Sequence, residues 1–139
     1  MTAVTDPRSR THTLIAGAAL AWNLLGLVMF VLRATMTMAQ VAALSPADRA
    51  VHEGTPAWVL VAFGVAVVAG VTGSVGLLTR QRWAVPAFAL SLAALLLQVV
   101  GTFAVTPAWQ AYGAAGLIMP IMLVVVAVLL LRYSRRATA

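Results

Sequence analysis

Residues 83–131 read WAVPAFALSLAALLLQVVGTFAVTPAWQAYGAAGLIMPIMLVVVAVLLL, 49 residues without a single charge. A helix rises 1.5 Å per residue and the hydrocarbon core of a bilayer is about 30 Å thick, so one crossing uses roughly 20 residues. The stretch is too long for one crossing and suits two with a tight connection. Thr106-Pro107 supplies the break, because proline lacks the N–H donor and drives the residue before it out of the helical region. Two spans are therefore expected, at about 83–103 and 112–131.

Working outward, residues 54–79 carry no charge over 26 positions, and residues 14–32 carry none over 19. Each is long enough to cross. The second span is expected at 57–78, with Pro56 suited to a first helical turn and Thr55 as its cap. Polar residues 1–13, with Arg8 and Arg10, read as a short disordered tail. A signal peptide shares this basic-then-apolar order, but its apolar core is usually about 7–15 residues, so the first segment reads as a retained span. Of the 139 residues, 63% are hydrophobic and 9% charged, far from the roughly 25% charged of soluble domains. The expected fold is all-α: a single domain forming a four-transmembrane-helix bundle.

The net charge of +6 comes from nine arginines against Asp6, Asp48 and Glu53. In a soluble chain that balance would point to nucleic acid. Here the arginines flank apolar runs, which is the signature of membrane orientation. Arg8, Arg10, Arg80, Arg82, Arg132, Arg135 and Arg136 fall on one side, and Arg33 and Arg49 on the other. The bias places both termini in the cytoplasm. It leaves Trp58 and Trp109 at the outer interface, and Trp83 and Tyr133 at the inner one, where amphipathic rings are favoured. The expected partner is the lipid bilayer, with a homodimer or a larger membrane complex, and no nucleic acid.

The one sizeable connection, 33–56, is expected outside as a short helical loop. Ser45-Pro46-Ala47-Asp48 reads as a capped helix start and Gly54 as its stop. Arg49 and Glu53 stand one turn apart, as do Asp48 and His52. Arg33 is expected to snorkel to the outer surface, and the first span could run on through Met36 and Gln40. Thr55-Pro56-Ala57-Trp58 recurs as Thr106-Pro107-Ala108-Trp109. The echo fits a duplicated hairpin, but with four residues it is better explained by two local needs, a helix start and an interfacial ring.

No span carries a carboxylate or histidine at mid-depth, so nothing there could bind and release a driving proton. This argues against the chemistry of four-helix exporters that use a buried Glu. With no Cys, and with His12 placed in the tail and His52 in the loop, no metal site, cofactor or catalytic set is expected, and the chain does not read as an enzyme.

Polar residues within the spans are the candidates. Asn23 follows Trp22, and Asn23, Gly26, Phe30, Arg33, Thr37 and Gln40 share a face if the helix continues. Ser91, Gln98 and Thr102 form a second stripe. The stripes could hydrogen-bond as interhelical ties, or could line a cavity for a small neutral solute with Trp22, Asn23, Ser91 and Gln98 as substrate-binding residues. On the second span Ala62, Ala66, Gly70 and Ser74 form a small-residue face for close helix packing, within the chain or with a second copy. Pro120 is expected to kink the fourth span.

Ala21-Trp22-Asn23-Leu24-Leu25-Gly26, the Thr55-Pro56-Ala57-Trp58 start, Arg82-Trp83-Ala84 and Leu90-Ser91-Leu92 together resemble a family of small four-span bacterial inner-membrane proteins. The family is of uncharacterised function and often carries the label "sugar transporter". The resemblance runs from Ala21 to about Arg136. It implies a bacterial cytoplasmic membrane, and its label joins the polar stripes in pointing to a facilitative carrier of a neutral polar solute such as a sugar. Four short spans enclose little interior, so such a carrier is expected to act as a dimer. The alternative from size alone is a non-transporting subunit or regulatory partner of another complex.

Overall fold

The structure, a computed structural model, describes residues 7–138. Its elements are α1 (Pro7–Ala34), α2 (Met38–Ala42), α3 (Pro46–Gly54), α4 (Ala57–Leu78), α5 (Ala84–Val105), α6 (Ala108–Tyr112), a 3-10 turn (Gly113–Leu117) and α7 (Ile118–Ala137). Four helical stretches are long and apolar enough to cross a membrane: α1, α4, α5, and the stretch that ends in α7. One end of the bundle carries the start of α1, the end of α7 and the α4–α5 turn, with seven arginines; we term it the basic end. The loop end carries α2, α3 and α6.

The helices pack in the order α1, α4, α5, α7, with α4 in the centre. The sequence of α4 explains that position. Ala62, Ala66, Gly70 and Ser74 are all buried, and they are used inside the chain: α1 approaches at Gly70 and Ser74, and α5 at Ala66. A Cβ at Gly73 would fall 3.0 Å from the Phe88 ring, so bare backbone is what admits that ring to the core. Small side chains let helices close to van der Waals range, which is the main attraction available where lipid is as apolar as the helix surface. The outward faces of α1 and α7, including Val28, Val31, Ile121 and Leu129, are exposed.

Several local expectations change. Residues 1–6 lie outside the described residues, but Pro7 to Thr13 are not a tail; they are the first turns of α1. Their ordering comes from His12, which is only 6% exposed. At its other end α1 does not run on through Met36. Thr37 caps α2 in a reciprocal box: the Gln40 N–H donates to Thr37 Oγ1 (3.2 Å), and the Thr37 N–H donates to Gln40 Oε1 (2.9 Å). That box satisfies donors a continuous helix would not have left open, so it ends the α1 stripe before Thr37 and Gln40 can join it.

Ser45 caps α3 by accepting from the Asp48 N–H at 3.2 Å, and Arg49 pairs with Glu53 at 2.9 Å. Thr55 does not cap α4; Pro56 holds that position, and the Thr55 hydroxyl turns back to donate to the Val51 carbonyl at 2.7 Å. The α4–α5 turn closes by two backbone bonds, Gln81 N–H to Gly76 O (2.8 Å) and Arg80 N–H to Leu77 O (3.1 Å), with Arg80 in the left-handed region at φ 56°. This is a Schellman closure.

Within the fourth crossing stretch, Ala108–Ala137, the long α-helix is reached only at Ile118. Ala108–Tyr112 forms α6, and Gly113, at φ 62°, turns the chain into the 3-10 segment before Ile118. Pro120 consequently lies in the first turn of α7. No kink is required there, since the first helical N–H groups have no intrahelical acceptor to lose.

Candidate functional site

At the basic end α1 and α7 are clasped together. The His12 Nε2–H donates to the Leu77 carbonyl at 2.8 Å, and the Tyr133 hydroxyl donates to Nδ1 at 2.9 Å. A carbonyl can only accept, so the bond to Leu77 fixes the proton on Nε2 and leaves Nδ1 of the neutral ring as the acceptor. The two rings stack with centroids 5.7 Å apart. Below them Ala16, Leu77, Ala84 and Phe88 form a buried cluster, with Leu130 and Tyr133 against it. One side chain thus ties α1 to both α4 and α7.

Beyond the clasp, α1 and α7 flank a cavity of about 450 Å³. Its walls come from all four crossing helices: Trp22, Met29, Phe63, Leu95, Met122 and Val126 are among them. Trp22, Asn23 and Ser91, three of the four expected solute contacts, line it; Gln98 does not. The Gln98 amide donates along its own helix to Thr102 Oγ1 at 3.3 Å, which removes it from the stripe expected to face α1.

The two polar side chains at the cavity are also committed. Asn23 Nδ2 donates to the Ala19 carbonyl (2.9 Å) and to Ser74 Oγ on α4 (3.2 Å), while the Ser74 hydroxyl donates to the Gly70 carbonyl (2.8 Å). The Ser91 hydroxyl donates to the Ala66 carbonyl at 2.6 Å, joining α5 to α4. Because the Ala19 carbonyl accepts, the Asn23 amide orientation is set, and Oδ1 turns towards Gly70. The cavity wall is accordingly apolar almost throughout.

A second polar group lies at the loop end. Asp48, on α3, accepts from the Ser45 hydroxyl at 2.9 Å and from the Tyr112 hydroxyl of α6. These bonds, the Tyr112 one foremost, hold its carboxyl below the usual carboxylate range. The sign follows: a depressed folded-state pKa stabilises the fold above the unfolded-state value of about 4 and is lost as pH falls through the lower folded-state value. The unfolding midpoint of the wild type should therefore drop more steeply below about pH 4 than that of Asp48→Asn. Parallel acid limbs in the two proteins would refute the role of this carboxylate. At the same end, Arg33 Nη2 donates to Thr55 Oγ1 at 3.1 Å.

His12 was not legible as a structural residue from the tail in which composition placed it. A signal was nonetheless present: His12, Ala16, Ala19 and Asn23 recur at steps of four, three and four, one helical face that continues the Asn23 stripe towards the N-terminus. Among the described residues no group of three or more His, Asp or Glu side chains could hold a metal.

Fold and site together define a class, that of an all-helical multi-pass membrane protein with an apolar intramembrane cavity beside a side-chain clasp. No family model, curated protein or solved structure matches the chain.

Proposed function

We propose that this chain is a non-transporting membrane subunit of the bacterial cytoplasmic membrane, with both termini in the cytoplasm and no catalytic role of its own. The observation that carries the reading is that the amide and hydroxyl donors of Asn23, Ser91 and Gln98 are turned to partners inside the bundle. Asn23 is bonded to Ser74, Ser91 to the Ala66 carbonyl and Gln98 to Thr102. A hydrophilic solute crossing the bundle would need those groups for itself, because each unsatisfied polar group in an apolar site costs roughly 2–7 kcal/mol. The Asn23–Ser74 and Ser91–Ala66 ties serve instead as interhelical glue, at about 0.6 kcal/mol each in a membrane, while Gln98 is held within α5.

Carriage of a neutral solute such as a sugar is the second reading, favoured by the cavity that Trp22, Asn23 and Ser91 share. Reconstituted vesicles separate the two. Labelled sugars and polyols should enter no faster than into empty vesicles; uptake that depends on Asn23, and is lost in Asn23→Ala, would establish the carrier instead. The same preparation reports orientation, since the chain has no native cysteine. In intact spheroplasts an impermeant maleimide should label Ser45→Cys at once and Arg136→Cys only after lysis.

A further inference from the structure

At the loop end, beside α1, lies a pocket of about 700 Å³ whose walls include Arg33, Gln40, Asp48, His52 and Tyr112 together with Met29. It holds one fixed cation and one fixed anion that do not neutralise each other: among the described residues the ion pair within 4.0 Å is Arg49–Glu53. Each of the two is steadied by neutral hydroxyls, Arg33 by Thr55 and Asp48 by Ser45 and Tyr112. Arg33 keeps most of its five N–H donors for a ligand, and the Asp48 carboxylate keeps acceptor positions beyond the two in use. Such a pair suits a dipolar group, an anion against the guanidinium and an ammonium against the carboxylate.

Met29 extends the argument from headgroup to lipid. It lines this charged pocket and also the apolar intramembrane cavity, so a polar site and a greasy one adjoin along α1. Met29 and Leu32 on the pocket wall continue the same apolar surface. A molecule with a zwitterionic head and a hydrocarbon tail matches this sequence of environments, and the surrounding bilayer supplies it.

We propose that the loop end of α1 binds a zwitterionic aminophospholipid, with its phosphate on Arg33, its ammonium on Asp48 and an acyl chain beside Met29 in the apolar cavity. The site goes beyond the subunit reading and does not depend on it. A quaternary amine has no N–H to give Asp48, and an anionic headgroup lacks the ammonium altogether, so phosphatidylethanolamine should be preferred to phosphatidylcholine and phosphatidylglycerol of the same chains.

Native mass spectrometry of the full chain in detergent, with each lipid added in turn, tests this. Phosphatidylethanolamine should be retained most. Asp48→Asn, nearly isosteric and at an exposed position, should lower that retention roughly tenfold, as expected for loss of one charge-assisted hydrogen bond. Arg33→Gln should weaken all three lipids. Ala127→Trp, which fills the apolar cavity from α7, should weaken phosphatidylethanolamine without altering its preference over phosphatidylcholine. Circular dichroism on each variant verifies that the helices persist. Equal retention of the three lipids, an unchanged preference in Asp48→Asn, or soluble glycerophosphoethanolamine binding as tightly as the lipid would overturn the proposal.

Discussion

Gly70→Ala should destabilise the bundle by about 1–3 kcal/mol, the usual range for overpacking a well-packed contact. A Cβ at that position would lie 2.7 Å from Asn23 Cγ and closer still to Oδ1. Asn23 would have to swing away, and its bonds to Ser74 Oγ and the Ala19 carbonyl would go with it. The worst clash is with Asn23, with Ser91 Oγ a looser second neighbour at 3.3 Å, so a double-mutant cycle on Asn23 isolates the larger part of the damage. In an Asn23→Ala background the added methyl at position 70 should cost much less, with only the 3.3 Å approach to Ser91 Oγ left to relieve. The observable is the unfolding midpoint in detergent for wild type, both single variants and the double. Additive losses across the cycle would mean that the close approach at Gly70 is not what joins α1 to α4.

His12→Ala should have an effect at least as large, on the order of 2–4 kcal/mol, from two lost hydrogen bonds and an unfilled space at a buried position. The Leu77 carbonyl still accepts from the Arg80 N–H, but the Tyr133 hydroxyl loses the ring nitrogen to which it donates. Since α1 and α7 are joined there, the loss should be local as well as global: hydrogen exchange should rise in the last turns of α7 and the first turns of α1. His12→Phe fills the space without either bond, so it should recover part of the stability and none of the tie. Unchanged protection at both helix ends in His12→Ala would exclude the clasp.

These two positions differ in how they could be found. Gly70 was visible, because small residues at every fourth position of an apolar helix mark a close-packed face whatever packs on it. What the spacing could not say is whether the opposing helix belongs to the same chain. His12 was hidden by its neighbours: Arg8, Arg10 and the threonines around it make residues 1–13 look solvated. A helix continuing past the apolar core keeps its face, however, and that face carries His12 onto Leu77. Composition averages over a window, whereas packing acts on one face of it.

Prolines show the same limit. Thr106-Pro107 was readable as a break because the disruption is local to the backbone, and α5 ends at Val105. What Pro120 does depends on where its helix begins: it stands in the first turn of α7, directly after the 3-10 segment that interrupts the fourth crossing stretch. Thr37 and Gln40 would share a face of α1 only in a helix that continued past Ala34, and Thr-x-x-Gln is a capping pattern that forms a cap here instead.

The sequence by itself determined the number of crossing helices, because burying 20-residue uncharged runs in lipid is a matter of length and transfer free energy that needs no tertiary partner. It also determined the asymmetry of arginines between the two ends. Only the tertiary structure decided what the polar side chains do. Asn23 meets Ser74 rather than Gln98, Ser91 meets a backbone carbonyl, and Arg33 and Asp48 share a pocket without pairing. A hydrogen bond needs its partner within about 3 Å and correctly aimed. That condition joins residues 51 positions apart for Asn23 and Ser74, and no pattern along one helix can specify which neighbour will be there.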